Sequence, residues 1–232
     1  MRAAVVVFPG TWSDDDCVWA LGQCGIEARK VWHRDVTSFE ADELVVLPGG
    51  FSYGDYLRVG AIATFSPAMA AVQRHAEGGG LVIGICNGFQ ILCEAGLLPG
   101  VLMRNESLQF RCQDAYLLPV NRTSPFTAHV DATRGHLMPV SHGDGRYFAD
   151  EATLAMLEDA DRIAFRYAEP DGTVTPDANP NGSANNIAGI LNERGNVLGM
   201  MPHPERACEP LLGNDDGNAI WRSVLASVGA VV

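Results

Sequence analysis

The stretch Leu81-Val82-Ile83-Gly84-Ile85-Cys86-Asn87-Gly88-Phe89-Gln90-Ile91-Leu92 places a glycine-bracketed cysteine between two apolar runs. The first run has the length and β-branched character of a buried strand, and the second has helical spacing. A small-x-nucleophile-x-small pattern at such a junction is the signature of a nucleophile elbow. In an elbow the sharp turn tolerates only small neighbours two positions away, and the following helix points its N-terminus at the central side chain. Helix N–H groups and the helix dipole favour a thiolate there, and the N–H of Asn87 would face an oxyanion formed beside the sulfur. A second reading stays open: Cys86 is a small buried filler and the glycines merely close a turn.

Outward from this stretch, Ala3–Phe8 and Leu44–Leu47 are further short apolar runs, separated by helical patterns over Asp14–Cys24 and Pro67–Glu77. The alternation predicts a flavodoxin-like α/β fold: an open, mostly parallel sheet with helices on both faces. Ser13 to Asp16 reads either as a helix start, with acids at the positive end of the dipole, or as a solvated acidic turn. Beyond Leu98-Pro99-Gly100, the alternating segments Leu108–Val120 and His136–Val140 predict a small antiparallel addition. Strands at Ile163–Tyr167, Ile187–Leu191 and Val197–Met201 and a closing helix at Ala219–Ser227 follow. Glu169–Asn186 reads as a long exposed loop. With no repeats and no linker, residues 1–232 are expected to form one α/β domain.

Composition excludes several functions. The net charge of -12, from 16 Lys+Arg against 28 Asp+Glu, argues against nucleic-acid binding. Lys30 is the only lysine, so no G-x-x-x-x-G-K-[ST] phosphate loop exists in the chain. No apolar run reaches the ~18 residues needed to span a bilayer, and the N-terminus does not read as a signal peptide, so a cytoplasmic protein with no membrane association is expected. The six cysteines have no C-x-x-C pair, which favours reduced thiols over a zinc site or disulfides. The N-x-[ST] matches at Asn105, Asn121 and Asn181 are then coincidental.

Two other stretches bear on Cys86. Pro48-Gly49-Gly50-Phe51-Ser52-Tyr53-Gly54-Asp55 directly follows a buried-type strand, where paired glycines let backbone N–H groups approach a ligand; a plain surface turn is the alternative. Met201-Pro202-His203-Pro204-Glu205 offers an imidazole with a carboxylate two residues on. Pro204 pushes His203 out of the helical region, and an extended backbone would project both side chains together as base and orienting acid. Alone, that segment reads equally as an exposed loop. His142 lies in a glycine-rich turn that either borders a pocket or is only a loop. His33, His75, His129 and His136 show no partner pattern.

The three motifs, G-x-C-x-G-x-Q (Gly84 to Gln90), P-G-G (Pro48 to Gly50) and H-P-E (His203 to Glu205), together resemble the class I, triad-type glutamine amidotransferases. Within that class "PGGFSYGDYLRVGAIA", "CNGFQIL", "GLLPG", "NPNGS", "IAGI" and "GNVLGMMPHPER" are similar to the glutaminase subunits of phosphoribosylformylglycinamidine synthases, over essentially the whole chain. The resemblance implies a Cys86-His203-Glu205 triad that hydrolyses L-glutamine through a thioester. It implies an oxyanion hole near Gly50, Phe51 and Asn87, and Gln90, Arg111 and His142 as substrate-binding candidates. It also implies a large synthetase subunit that receives the ammonia and uses ATP and Mg²⁺ to aminate formylglycinamide ribonucleotide, a small bridging subunit, and no metal or cofactor in this chain. "PGTWSDDD" differs from the "PGSNCD"-like turn of that group, and Glu169–Ala178 looks like an insertion, expected to be exposed or partner-facing. Related elbow-cysteine hydrolases usually carry His after the nucleophile, where this chain has Asn87. A non-catalytic flavodoxin-like module remains the other rival.

Overall fold

Aliphatic runs with no polar interruption must be covered on both faces, and four of them form the centre of the sheet. In a computed structural model that describes residues 1–229, the strands are β1 (Arg2–Val7), β2 (Glu27–Trp32), β3 (Glu43–Leu47), β4 (Val82–Ile85), β5 (Val101–Met103), β6 (Arg111–Pro119), β7 (His136–His142), β8 (Arg146–Phe148), β9 (Ile163–Ala168), β10 (Ile187–Leu191) and β11 (Val197–Met200). Nine of them make one sheet in the order β2-β1-β3-β4-β11-β10-β9-β6-β7. From β2 to β11 every pairing is parallel, and from β11 to β7 every pairing is antiparallel. Strands β5 and β8 form a separate antiparallel pair. The expected parallel sheet with an antiparallel addition is therefore present. All residues of β3, β4, β10 and β11 are buried, as strands covered on both faces must be.

The helices are α1 (Asp14–Gln23), α2 (Pro67–Glu77), α3 (Asn87–Glu94), α4 (Glu151–Asp159) and α5 (Asn218–Ser227). Helix α2 begins on Pro67 at its first turn, where a missing N–H does no harm. Helix α1 has Asp14, Asp15 and Asp16 in its first turn, so the acidic run is a helix start. Ser13 makes no side-chain cap there; it is fully buried, and its Oγ accepts from Arg206 Nη2 at 2.8 Å.

One strand carries no sequence signal and one expectation is corrected. Strand β2, with Glu27, Arg29 and Lys30, has no apolar run to announce it; it forms an edge, where charged side chains discourage further pairing. The segment from Glu169 to Asn186 is not exposed throughout. Asn181 and Ser183 are buried, because side chains replace water as backbone partners: Asn179 Oδ1 accepts from the Gly182 and Ser183 amides, and Asn181 Nδ2 donates to Gly145 O at 2.9 Å. Glu169–Ala178 itself is largely exposed or half-buried, as expected.

Parallel pairing aligns the carboxyl ends of three neighbouring strands. Leu47 of β3 pairs with Gly84, and Met200 of β11 pairs with Ile85. The P-G-G loop, Cys86 and the H-P-E segment each follow one of these strands and so meet in a single crevice.

Candidate active site

Cys86 sits at the junction of β4 and α3 with φ 52 and ψ -105, a backbone conformation that side chains rarely adopt. The turn is closed by close approaches that only glycine permits. A Cβ on Gly88 would overlap the carbonyl oxygen of Leu47, and one on Gly84 would lie 2.6 Å from Gly88 O. The Cys86 N–H donates to Met200 O (2.8 Å), and its Sγ donates to Ser141 O at 3.6 Å. The cysteine is buried against the hydrophobic core and at the same time lines the cleft described below. It stands at the N-terminus of α3, and the Asn87 N–H donates to no acceptor among the described residues.

The P-G-G loop comes as close as the pair of glycines allows. A Cβ on Gly49 would lie 2.7 Å from His203 Cε1 and 3.5 Å from Cys86 Cβ, so this glycine is what lets base and nucleophile approach. Gly50 adopts φ 153, and a Cβ there would strike Gly10 O and Trp12 N. The turn that Gly50 makes sends the Phe51 N–H back to Gly10 O (2.9 Å). Phe51 is therefore corrected as an oxyanion donor, since its amide is engaged. The Gly50 amide has no acceptor among the described residues. The Gly10–Ser13 turn, whose sequence departs from the group's pattern, braces this loop: Trp12 and Ser13 donate to Gly49 O at 3.0 and 3.1 Å.

His203 follows β11 and is tied to β7 by its N–H to Pro139 O (2.9 Å). Its Nδ1 lies 2.6 Å from Glu205 Oε1, and both residues are buried. The pair forms for a different reason than the expected extended backbone. Residues Pro204–Arg206 make a 3-10 turn, and the tightness of that turn folds the carboxylate back onto the ring. Burial opposes the imidazolium, but the Glu205 carboxylate and the Cys86 side chain raise the pKa of His203 above the ordinary imidazole range. Among the described residues Nε2 is buried with no partner in hydrogen-bond geometry, which leaves it free for chemistry beside the thiol.

Cys86 opens into a cleft of about 250 Å³, lined among others by Gly50, Phe51, Asp55, Gln90, Arg104, Ser141, His142 and Asp144. Of the expected substrate-binding residues, His142 and Gln90 reach it. His142 is held by Asn105 Oδ1 at 3.1 Å and faces Asn181 Nδ2 at 3.4 Å, and burial with the nearby His203 lowers its pKa to about 4, so it is neutral. Gln90 is committed at both ends: Oε1 accepts from Asn87 Nδ2 (2.8 Å), and Nε2 donates to Asp144 O (2.7 Å). Arg111 opens β6 but does not line the cleft; its Nε is buried without a partner among the described residues. Asp55 closes the glycine-rich stretch that begins at Pro48 without a role of its own in the sequence reading, and no motif marks Arg104 or Asp144. Asp55 lies on the loop after the P-G-G motif at φ 54, and burial with the neighbouring Asp144 raises its pKa to about 6. Charged loop residues carry no periodic signal, so nothing short of the folded loops identifies them.

Among the described residues no group of three or more His, Cys, Asp or Glu side chains is placed to hold a metal ion, no helix is long and apolar enough to cross a membrane, and all six cysteines are free.

The model of the CobB/CobQ-like glutamine amidotransferase domain matches residues 1–222. The chain is 55% identical over 231 residues to phosphoribosylformylglycinamidine synthase subunit PurQ of Salinibacter ruber, covering 99% of this chain and 98% of that one. It is 55% identical over 234 residues to the subunit of the same name from Gloeobacter violaceus, covering 100% of both. A chain in the structure of PurLQS from Thermotoga maritima superposes with a TM-score of 0.86 at 42% identity, covering 98% of each.

Proposed function

The chain belongs to the CobB/CobQ-like glutamine amidotransferase family, and from that membership we propose that it is the glutaminase subunit of a phosphoribosylformylglycinamidine synthase, with Cys86, His203 and Glu205 as its triad. The observation that carries the triad is the meeting, at three adjacent strand ends, of an elbow thiol, a carboxylate-held imidazole and two uncommitted amides.

The Cys86 thiolate attacks the carboxamide carbon of L-glutamine, and the carbonyl oxygen becomes an oxyanion held by the Gly50 and Asn87 N–H groups. The C–N bond breaks as His203 gives its proton to the departing nitrogen, releasing ammonia and leaving a γ-glutamyl thioester. His203 then takes a proton from water, whose oxygen attacks the thioester carbon, and glutamate and the thiol are released. Glu205 holds Nδ1, and so fixes the tautomer and stabilises the imidazolium at both steps. Gln90 acts by positioning: it fastens the Asp144 turn to α3. His142, neutral and fixed by two asparagines, shapes the cleft wall. Arg111 keeps a structural place at the start of β6.

The ammonia passes to the synthetase subunit, which uses ATP and Mg²⁺ to convert formylglycinamide ribonucleotide to the amidine, with a small third subunit completing the complex. The similarity to a chain of PurLQS supports this assembly. The reading also makes residues 1–232 one cytoplasmic glutaminase domain with no cofactor of its own. The experiment is a reconstituted complex supplied with glutamine carrying a ¹⁵N amide. The label is expected in the amidine product, and Cys86→Ala is expected to abolish glutamine-dependent synthesis while ammonia-dependent synthesis persists. Glutamine-dependent synthesis by the Ala variant would sink the reading.

A further inference from the structure

Resting on the glutaminase reading, the structure leaves open what keeps the general base and the oxyanion loop in register. They follow β11 and β3, two strands that are not neighbours in the sheet. Gly49 brings the loop against the His203 ring, since a Cβ there would lie 2.7 Å from Cε1, but a glycine has no side chain with which to hold that position. Away from the cleft, one side chain spans the gap. Arg206, next after the triad carboxylate, has Nη2 2.8 Å from Ser13 Oγ and Nε 3.4 Å from Asp16 Oδ2, and its guanidinium carbon is 5.7 Å from the centre of the Trp12 ring. It is not the counter-ion of the triad: Glu205 Oε2 is buried with no hydrogen-bond partner among the described residues, and Oε1 faces His203.

We propose that Arg206 is a positioning residue: it clamps the triad turn to the Gly10–Ser13 turn and so fixes the Gly50 N–H relative to His203 and Cys86. A continuous run of hydrogen bonds carries the clamp. On one side, the Arg206 N–H donates to His203 O at 3.2 Å, within the 3-10 turn that folds Glu205 onto the imidazole. On the other, Ser13 is fully buried behind the loop, its Oγ 3.3 Å from where a Gly49 Cβ would stand. The Trp12 and Ser13 N–H groups both donate to Gly49 O, at 3.0 and 3.1 Å. That carbonyl and the Gly50 N–H belong to one planar peptide unit and point in opposite directions, so holding the oxygen aims the N–H. Arg206 thereby acts on the oxyanion donor through Ser13 and on the base through its own backbone. The guanidinium serves Ser13, Asp16 and the Trp12 face at once, which takes a planar fork and not merely a positive charge. Arg206 touches no substrate and takes no part in bond making.

The test uses Arg206→Met, Arg206→Lys, Ser13→Ala and the double variant Ser13→Ala with Arg206→Met, each assayed in the reconstituted complex. Without the clamp, loop and base shift by up to about 1 Å, so Arg206→Met is expected to lower the glutaminase kcat about 10- to 100-fold, with KM changed less than about 3-fold. Ser13→Ala breaks one limb of the same bridge and is expected to lower kcat about 10-fold. Two residues acting through one bridge leave the double variant within about 2-fold of Arg206→Met, whereas independent effects multiply. Arg206→Lys keeps the charge but not the fork, and its kcat is expected to stay at least about 5-fold below wild type. Alkylation of Cys86 by iodoacetamide, which needs the thiolate but no oxyanion hole, is expected to keep its rate in every variant and so reports an intact elbow. An unchanged kcat in Arg206→Met overturns the proposal, as do single effects that multiply, a loss confined to KM, full recovery in Arg206→Lys, or an alkylation rate that falls with kcat. If the wild-type complex hydrolyses no glutamine, the fault lies with the glutaminase reading instead, because a positioning role presupposes turnover.

Discussion

Replacing Asn87 with alanine tests whether the side chain after the nucleophile is a strut rather than a reactant. Asn87 is buried, and its Oδ1 accepts from the Ser52 N–H at 3.0 Å while its Nδ2 donates to Gln90 Oε1 at 2.8 Å. Truncation leaves the Ser52 N–H and Gln90 Oε1 without partners and also removes the long 3.4 Å contact to Asp55 Oδ1. Each such orphan costs about 1–3 kcal/mol, so Asn87→Ala is expected to lose about 2–6 kcal/mol of stability. For a chain of 232 residues that is a fall of roughly 1–2 M in the urea midpoint, against a total stability of ~5–15 kcal/mol for a domain. The Ser52 bond also ties the loop carrying Gly50 to α3, so its loss lets one oxyanion donor drift relative to the other. A displacement near 1 Å is enough to lower kcat about 100-fold. Alkylation of Cys86 by iodoacetamide needs the thiolate but no oxyanion hole, so its rate should hold. Urea titration, steady-state glutaminase assays in the complex and alkylation kinetics read the three quantities separately. A variant as stable as wild type within about 0.5 kcal/mol refutes the strut. An alkylation rate that falls with kcat refutes the claim that the side chain acts on the loop and not on the sulfur.

Further perturbations address the other parts of the site. Glu205→Gln keeps the shape of the His203 partner but removes its charge, and is expected to lower kcat on the order of 10²- to 10⁴-fold with a modest change in KM; a loss below about 3-fold would leave Glu205 a packing residue. Gly50→Ala places a Cβ 2.6 Å from Gly10 O at φ 153, so glutaminase activity should be lost while ammonia-dependent synthesis by the complex survives; retained glutamine use would show that this amide is not needed. His142 is held neutral, its pKa lowered from 6.5 to about 4 by burial and His203. The unfolded chain then binds the extra proton first as pH falls. Stability is full above pH 6.5, declines by about 1.4 kcal/mol per unit between pH 6.5 and 4, and is lower by about 3 kcal/mol below that window. His142→Gln should remove that slope, and urea midpoints for wild type and variant that run parallel from pH 7 to 4.5 would contradict it.

What the sequence disclosed followed from how local each signal was. The elbow could be read because its requirement is steric and spans five residues: Gly84 and Gly88 are demanded by Leu47, Leu92 and each other, so the glycines mark the turn wherever it occurs. The buried strands could be read because a strand covered on both faces needs unbroken aliphatic runs, whereas β2, an edge with three charged residues in six, has no such need. The triad pair was anticipated with the wrong backbone, because Pro204 excludes the helical region for His203 but does not say whether the chain beyond runs straight or folds into a 3-10 turn.

The substrate-facing side chains were least legible, and Gln90 shows why. Its motif position places it on the inner face of α3, one turn beyond Cys86, and every local argument directs its amide at the cleft. Whether the amide is available depends on Asp144 O, contributed by a turn 54 residues away, and on the side chain of Asn87. Both its donor and its acceptor are spent on those partners. The charges left facing the thiol are then those of Asp55, Asp144 and Arg104, on three separate loops whose meeting is a property of the fold and not of any motif. A helix position can thus be fixed by the sequence pattern while the free chain spends its amide on partners supplied by a neighbouring side chain and a distant loop. The same reasoning predicts that Gln90→Ala loosens the Asp144 turn and lowers stability together with glutamine affinity; a variant as stable as wild type would show that these two bonds brace nothing.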